Sequence, residues 1–488
     1  MVNNPSAQPV LDRRRAGVLL HPTSLPGGDL GDDATRFVDF LADGGFTVWQ
    51  CLPLGPTHDD GSPYHALSAH AGNPALISVS RLRAWGWLDS AAVSSVAEGL
   101  TLAHRRVFAD AAVRQEYGAY LERERPWLDD YALFCVLREN LHHAPWWQWP
   151  AALRDREPTA LAEVRVSLAA ALESVRFGQF VFDRQWSELR RYAHERHVRL
   201  FGDLPIFVAH DSADVWANRG LFRLDAGGQP SVVAGVPPDY FSAEGQRWGN
   251  PLYDWPAIEA DGFNWWLARL RTELRRFDLL RVDHFRGFEA CWEIPASEAT
   301  AIHGHWCPVP GERLFERLHE AFGALPLVAE DLGYITPAVH ALRRRFGLPG
   351  MRVLQFAFDG GADNPYLPHA HTPDSVVYTG THDNDTTRAW FERLPAATQL
   401  RVVSYLGYPT EPMPQPLIRA ALASVAGLAM LPMQDVLQLG RGHRLNTPGT
   451  TDGNWRWRFQ WEWLTPEIVG WISQALVLYG RKGTGVAP

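Results

Sequence analysis

Eight short apolar runs, spread along the whole chain, constrain its fold more than any other feature. Each run is too short for a helix, ends in a polar or glycine-containing turn and lacks clear apolar–polar alternation, which is typical of strands buried on both faces. The runs are Gly17–Leu20, Thr47–Leu52, Arg199–Leu204, Leu279–Val282, Leu327–Ala329, Met351–Phe356, Ser375–Tyr378 and Ala429–Met433. Helical patterns separate the later runs, for example over 337–346 and 388–405. The pattern predicts an α/β fold, a (β/α)8 TIM barrel, with a doubly wound sheet as the alternative.

Two stretches are too long to be plain strand–helix units. Residues from about 80 to 198 are rich in Ala, Leu, Arg and Glu, which predicts an inserted, mainly helical subdomain. Residues from about 208 to 265 carry Gly, Pro, Asp and aromatic side chains, which predicts a loop-rich subdomain with an aromatic lid over a site. We therefore expect residues 1–488 to form a single catalytic barrel with two insertions.

The charged residues exclude two classes of function. The formal net charge of −9 at pH 7 has the wrong sign for a protein built around a polyanion, so nucleic acid is not the expected partner. Lys482 is the only lysine in the sequence. Chemistry that needs an internal Schiff-base lysine, such as that of pyridoxal phosphate enzymes, is therefore excluded.

The cysteines and the apolar segments predict a cytoplasmic protein. The four cysteines are far apart and are interpreted as buried thiols in a reducing compartment: Cys51, Cys135, Cys291 and Cys307. Met1–Arg15 is polar, with no apolar segment behind it, so no signal peptide is predicted. The longest apolar stretch, Ala420–Met433, is shorter than the roughly 18 residues that a membrane span needs, so no membrane is expected as a partner.

Four acidic residues fall at or shortly after the ends of four different predicted strands. They are Asp203, Asp283, Glu330 and Asp383. In a barrel of this kind, side chains just past the carboxyl ends of the strands meet at the active-site mouth. Individual acids could instead cap helices or pair with arginines, but acids are rarely buried without a partner or a role. Together the four acids therefore predict a catalytic site.

The surroundings of these acids differ in a way that suits glycosidase chemistry. Arg281 lies two residues before Asp283 and hence on the same face of a strand, where it would keep that carboxylate charged for nucleophilic attack. Glu330 follows an apolar run, and a desolvated glutamate is suited to act as a general acid. Asp383 lies in GTHDND, among groups able to hydrogen-bond sugar hydroxyls. A charged carboxylate with a protonated partner is the arrangement of a retaining glycosidase.

Long motifs from residue 17 to residue 458 resemble those of one enzyme family, in order along the chain. They include GVLLHPTSLPG, SPYHALSAHAGNP, GDLPIFVAHDSADVW, GQRWGNPLYDW, RVDHFRGFEACWEIPA, VAEDLGYITPAV, GLPGMRVLQFAF, VVYTGTHDNDTT and LNTPGTTDGNWRWR. The sequence resembles the 4-alpha-glucanotransferases, also called amylomaltases or disproportionating enzymes, of the α-amylase clan. The resemblance implies a (β/α)8 barrel that transfers segments of α-1,4-glucans and maltooligosaccharides to an acceptor glucan or glucose. It also implies a covalent glycosyl-enzyme intermediate, and no metal or organic cofactor.

The resemblance also implies roles for individual residues. Asp283 matches the nucleophile, Glu330 the acid/base and Asp383 the transition-state stabiliser. The positions that match donor-site contacts are Tyr64, Asp203, Arg281, His284 and His382. Gln246 and Trp248 fall on a flexible loop over the acceptor side, and Asn454 falls in the GNW motif.

Other interpretations of these features stay open at this point. An α-glucan hydrolase would use the same acids but admit water, and a non-catalytic glucan-binding scaffold would not need the acids. His303, His305 and Cys307 alternate, but they have no second ligand pair at a metal-binding spacing, so we expect no metal there. The tryptophans at 146, 147 and 149 are interpreted as packing of the helical insertion.

Overall fold

The computed structural model of the protein describes residues 11–89, 93–238 and 242–483. The strands in these ranges are β1 (Arg15–Leu19), β2 (Val48–Gln50), β3 (Arg199–Leu204), β4 (Val232–Val236), β5 (Gln246–Pro251), β6 (Leu279–Val282), β7 (Ala290–Pro295), β8 (His305–Pro308), β9 (Leu327–Ala329), β10 (Gly350–Val353), β11 (Ser375–Tyr378) and β12 (Leu428–Pro432). The α-helices are α1 (Asp32–Gly44), α2 (Val79–Ala84), α3 (Val96–Val107), α4 (Ala111–Asn140), α5 (Ala151–Arg154), α6 (Pro158–Ser167), α7 (Ala169–Glu195), α8 (Ala213–Ala217), α9 (Trp255–Ala260), α10 (Asn264–Arg276), α11 (Gly311–Phe322), α12 (Pro337–Arg345), α13 (Thr387–Arg393), α14 (Ala396–Tyr405), α15 (Gln415–Ala423), α16 (Met433–Val436) and α17 (Pro466–Leu478). None of these helices has both the length and the apolar character that crossing a bilayer requires.

Eight parallel strands close into a barrel in the order β1-β12-β11-β10-β9-β6-β3-β2. Each of them overlaps one of the eight apolar runs, so the predicted TIM barrel is confirmed and the doubly wound alternative is wrong. The strand predicted over Met351–Phe356 ends early, because Leu354–Phe356 forms a turn of 3-10 helix. The barrel interior is filled by buried side chains that include Val48, Phe201, Val328, Met351, Val376 and Met430. Gly17 in β1 has no room for a side chain, since a Cβ there would lie 2.6 Å from the Val48 carbonyl oxygen.

Local sequence signals account for the helices predicted between the later strands. The side chain of Thr336 accepts a hydrogen bond from the Val339 amide, and Pro337 occupies the first turn, so α12 begins where the pattern predicts. The helical pattern over 388–405 corresponds to two helices, α13 and α14. The break comes at Leu394, which is extended (φ −64°, ψ 145°) because a following proline disfavours the helical conformation.

The stretch from about 80 to 198 is helical, as its composition predicts. Helices α2 to α7 lie within it or at its start, and the two longest, α4 and α7, pack against each other. Tyr117 of α4 donates a hydrogen bond to Glu173 of α7 at 2.8 Å, and Arg176 forms an ion pair with Asp129 at 2.7 Å. These contacts fasten the two helices side by side.

The stretch predicted to be loop-rich contributes two strands to a second sheet. This antiparallel sheet has the order β5-β4-β7-β8, and its strand β7 follows the barrel strand β6 closely in the chain. The first three residues of β5 are exposed, so β5 lacks the buried apolar run by which the barrel strands could be predicted. Of the predicted aromatic lid, Trp248 lies on β5, whereas Tyr240 and Phe241 lie outside the described residues.

Candidate active site

The register of the barrel brings the acids predicted to be catalytic to one level. Val282 of β6 pairs with Ala329 of β9, so the next residues, Asp283 and Glu330, leave neighbouring strands side by side. Neighbouring strands lie about 4.8 Å apart, which sets the spacing of these two residues. Two backbone hydrogen bonds continue the pairing past the strand ends, from the Glu330 amide to Val282 (3.0 Å) and from the Phe285 amide to Glu330 (3.2 Å).

Arg281 links two of the predicted acids. Its Nη2 forms an ion pair with Asp283 Oδ1 at 2.8 Å, and its Nη1 lies 2.9 and 2.7 Å from the two oxygens of Asp203. Asp203 also accepts a hydrogen bond from the Tyr64 hydroxyl at 2.8 Å. The side chains of Arg281 and Asp203 are almost fully buried, whereas that of Asp283 is 29% exposed. The buried Asp203–Arg281 pair therefore fixes the orientation of an accessible carboxylate.

Glu330 lies in a different electrostatic environment. Its Oε2 accepts a hydrogen bond from the His284 amide at 2.8 Å, and the backbone of His284 is left-handed (φ 51°, ψ 52°). Burial, reinforced by the negative charge of Asp283 and opposed by Arg281, raises the pKa of Glu330 to about 8. Glu330 is therefore protonated at neutral pH and is able to donate a proton.

Asp383 follows β11 and is held by its neighbours. Asn446 Nδ2 donates to Asp383 Oδ1 at 2.6 Å, and His382 Nε2 lies 3.3 Å from the same oxygen. Arg444 donates to the Asp383 backbone carbonyl, and the Asp383 amide donates to Thr381 Oγ1 at 3.3 Å. The Asp383 side chain is nevertheless 44% exposed and lines the cavity described next.

A cavity of about 750 Å³ is lined by four of the eight residues predicted to bind substrate and by two of the three predicted catalytic acids. Its wall includes Tyr64, Gln246, Trp248, Asp283, His382 and Asp383. This volume lies within the range of about 300–1,000 Å³ that is typical of ligand sites. Asp203, Arg281, His284 and Glu330 adjoin the wall through the contacts described above.

The side chain of Asn454 does not line the cavity but forms hydrogen bonds within its own loop. Its Oδ1 accepts a hydrogen bond from the Thr447 amide at 2.9 Å, and its Nδ2 donates to the Thr450 carbonyl at 2.9 Å. Asn454 thus shapes the loop that presents Asn446 and Trp455 to the cavity. Its predicted contact with sugar stays a prediction.

Aromatic rings surround the carboxylates. Tyr64 stacks on His382, with ring centroids 5.2 Å apart and an interplanar angle of 18°. Trp248 meets His284 edge to face at 4.8 Å, and its Nε1 donates to Gln246 Oε1 at 3.1 Å. Burial lowers the pKa of His284 to about 4, so this ring is neutral at pH 7. The predicted pair Gln246 and Trp248 is therefore joined to the catalytic region through His284.

Three features of this site were not predicted from the sequence. Asn446 binds Asp383, although it lies 63 residues further along the chain and only its place in the LNTPG motif hinted at a role. Trp455, which follows Asn454, lines the cavity. Trp147 lines it too, so the interpretation of this residue as packing is incomplete, whereas Trp146 and Trp149 are buried as expected.

The residues examined as possible metal ligands do not form a cluster. Within 11–89, 93–238 and 242–483, no group of three or more His, Cys, Asp or Glu side chains is arranged to hold a metal ion. The four cysteines are free thiols. Cys51 and Cys291 are buried as predicted, but Cys135 and Cys307 are only partly buried.

Comparison with known proteins agrees with this geometry. Residues 19–465 match the family described as 4-alpha-glucanotransferase. A 4-alpha-glucanotransferase of Synechocystis sp. is 47% identical, with 97% of this chain and 99% of the relative covered. One from Thermus thermophilus is 48% identical over 93% of this chain and 96% of the relative. The solved amylomaltase from Streptococcus agalactiae in complex with acarbose has a TM-score of 0.92 at 35% identity, with 96% and 100% of the two chains covered. The chain belongs to the 4-alpha-glucanotransferase family.

Proposed function

We propose that the protein transfers segments of α-1,4-glucans from a donor to the 4-hydroxyl of an acceptor glucan or glucose, with retention at the anomeric carbon. The observation that carries this proposal is the side-by-side pair Asp283 and Glu330, of which one is ion-paired with Arg281 and the other has a raised pKa. Retaining enzymes need two carboxyl groups about 5–5.5 Å apart. Asp283 and Glu330 leave adjacent parallel strands at the same level, so the distance between the strands suits this requirement.

The reaction then proceeds in two displacements. Glu330 gives its proton to the glycosidic oxygen, while the Asp283 carboxylate attacks the anomeric carbon and forms a covalent β-glucosyl ester. The acceptor 4-hydroxyl next attacks this ester, returns its proton to Glu330 and releases Asp283. Asp383, oriented by Asn446 and His382, stabilises the charge that develops on the sugar ring. Tyr64 and Arg281 position the donor, and no metal or organic cofactor takes part.

Product analysis with maltotriose tests this function. We expect glucose together with chains longer than maltotriose, because the acceptor is another sugar. An α-glucan hydrolase would give only shorter products, and a glucan-binding scaffold would give none. A glucan phosphorylase is excluded by the single lysine, Lys482.

We expect Gln246 and Trp248 to favour the sugar acceptor over water. Stacking on a flat ring and hydrogen bonds from an amide retain an acceptor, while an aromatic cover excludes water from the intermediate. Trp248→Ala and Gln246→Ala should each raise the ratio of hydrolysis to transfer about three- to tenfold, which corresponds to the loss of one modest contact. The measurement is the ratio of reducing ends formed to glucose released from maltotriose.

Arg247→Ala is the matched control for these two variants. Arg247 lies between them on β5, is exposed, and donates to the Ala296 carbonyl at 3.1 Å. Its removal should leave the ratio unchanged. An unchanged ratio in the Trp248 and Gln246 variants would mean that acceptor selection depends on other residues of the cavity.

The raised pKa of Glu330 predicts a pH limit on activity. The protonated form of Glu330 is the active one, so kcat/KM should fall about tenfold per pH unit above pH 8, once Glu330 ionises with its pKa of about 8. Activity should also fall at acid pH, where the Asp283 carboxylate becomes protonated. A pH profile on maltotriose measures this limb. A fall that begins near pH 5, at the ordinary range of a glutamate, would contradict the assignment.

The organisation of the chain follows from the same proposal. Residues 1–488 form one catalytic barrel, in which the helical segment of about 80–198 and the segment of about 208–265 are insertions that build the walls of the cavity. Pro145 and Trp147 of the first segment, and Gln246 and Trp248 of the second, line the cavity and support this division. A cytoplasmic location suits an enzyme that acts on stored or imported glucans, and it stays a prediction.

A further inference from the structure

We propose that Trp147 and His210 form a platform that binds a glucose unit of a long α-glucan at a distance from the bond being cleaved. This inference rests on the proposed function, since it concerns the same cavity and the same substrates. Trp147 and His210 line the cavity that contains Asp283 and Asp383. Neither ring forms a hydrogen bond with any of the three catalytic acids.

The two rings make a flat double layer. The indole of Trp147 and the imidazole of His210 are stacked with centroids 3.9 Å apart and an angle of 5° between their planes. Trp146 is perpendicular to both, at 5.9 Å from Trp147 and 5.5 Å from His210. Because these two distances are nearly equal, Trp146 lies beside the stack and not above or below it. Trp146 therefore supports the stack without covering its outer faces.

A network of hydrogen bonds fixes the platform in place. His210 Nε2 lies 2.8 Å from the Gly228 carbonyl, and the Trp146 indole donates to the His210 carbonyl at 2.7 Å. The Trp146 amide donates to Asp211 at 3.2 Å, and Arg138 bonds the same carboxylate at 3.2 Å. A surface that is held in its binding conformation loses little entropy when a ligand stacks on it.

The imidazole of His210 is suited to a neutral ligand. Burial lowers the pKa of His210, so the ring is uncharged at neutral pH. A carbonyl can only accept, so Nε2 carries the proton that is donated to Gly228, and Nδ1 remains an acceptor. An uncharged aromatic face combined with a hydrogen-bond acceptor at its edge matches the apolar face and the hydroxyl rim of a sugar ring.

The cavity wall connects this platform with the catalytic end. Tyr64, which bonds Asp203 beside the nucleophile, is followed by His65, whose ring stacks on His58 at 4.0 Å. Burial, followed by the charges of His65 and Arg138, lowers the pKa of His58 to about 4. His58 and His65 line the same cavity as Tyr64 and His210. The cavity wall therefore carries rings both beside the nucleophile and at the platform. A glucan that contacts both the acids and the platform must extend across the cavity, so we expect longer chains to depend more on Trp147.

Substrate length is therefore the variable that tests the platform. Trp147→Ala should lower kcat/KM for maltoheptaose about three- to tenfold more than it lowers kcat/KM for maltotriose, the loss expected for one stacking contact. Trp147→Leu keeps the apolar volume but lacks a flat face. It should therefore lower the ratio of kcat/KM for maltoheptaose to kcat/KM for maltotriose as much as Trp147→Ala does. Trp147→Phe keeps a flat ring and should retain most of the wild-type ratio.

Binding provides a measurement that does not depend on turnover. The affinities are measured by isothermal titration calorimetry in the Glu330→Gln protein. In this background, Trp147→Ala should weaken the binding of maltoheptaose about three- to tenfold more than the binding of maltotriose. Equal losses for both sugars, or a Trp147→Leu protein that behaves like Trp147→Phe, would overturn the platform while the transferase function stands. Failure of the wild-type protein to form glucose and longer chains from maltotriose would instead overturn the proposed function, and the calorimetric comparison would still decide on Trp147.

Discussion

Asp283→Ala abolishes transfer, with a loss of kcat on the order of 10⁴–10⁶, the range found when a covalent nucleophile or its essential partner is removed. The reason is that no covalent ester can form without this carboxylate, and no other acid leaves a strand beside Glu330 at the same level. The fold should survive, because Arg281 keeps its two contacts with Asp203 at 2.9 and 2.7 Å. Release of glucose from maltotriose measures the rate, and a thermal unfolding scan checks the fold.

A fluorinated glucosyl donor that slows breakdown of the intermediate identifies the nucleophile directly. Mass spectrometry of the digested protein should find the added sugar on the peptide that contains Asp283. Asp363→Asn, a change in an exposed acid, is the matched control and should retain full activity and full labelling. A label on Asp383 or Glu330, or substantial turnover by the Asp283→Ala protein, would refute this assignment.

The barrel could be predicted because its strands are buried on both faces. Such strands leave short apolar runs, and each of the eight runs coincides with an observed strand. The sheet formed by β4, β5, β7 and β8 could not be predicted in the same way. The start of β5 is exposed and lies in a segment rich in glycine and proline, so it carries neither a buried run nor alternation. Its pairing with β4 is a tertiary property that local sequence does not encode.

The same distinction holds for the site. Asp283, Glu330 and Arg281 could be predicted because strand ends and neighbouring positions within one strand determine where they point. Asn446 and Trp147 belong to the site only because distant segments approach it: Asn446 bonds Asp383, and Trp147 stacks on His210. A tryptophan among other tryptophans in a helical insertion looks like core packing until its partner on the β3 loop is known.

The positions of these residues divide the cavity into groups expected to cleave the bond and groups expected to select the substrate. The chemistry depends on groups held by the barrel itself, since β3, β6 and β9 fix Asp203, Arg281, Asp283 and Glu330 through their register. We expect the choice of substrate to depend on side chains from the inserted segments, such as Trp147 and Trp248, which line the cavity. Changes in the insertions should therefore alter substrate length and the fate of the intermediate, and changes at the strand ends should alter the rate of bond cleavage.

Glu330→Gln should lower the rate on maltotriose by about 10²–10⁴, the usual contribution of a general acid. Glutamine has the same shape and can still accept the hydrogen bond that the His284 amide donates at 2.8 Å, so the change removes the transferable proton and little else. A glucosyl fluoride donor has a leaving group that departs without protonation. The Glu330→Gln change should therefore lower the rate of the first step much less with this donor than with maltotriose. Stopped-flow measurements should show a burst of fluoride release followed by slow turnover.

The second step should also be slow in the Glu330→Gln protein, because Glu330 must take the proton of the acceptor hydroxyl. The Glu330→Gln protein should therefore accumulate the ester on Asp283, and the fall of activity above pH 8 should disappear from its profile, since the group with the pKa of about 8 is gone. Glu320→Gln alters an exposed pair with Arg317 and should change none of these quantities. Equal losses with maltotriose and with the fluoride donor in the first step would show that Glu330 supports the structure of the site and does not transfer the proton.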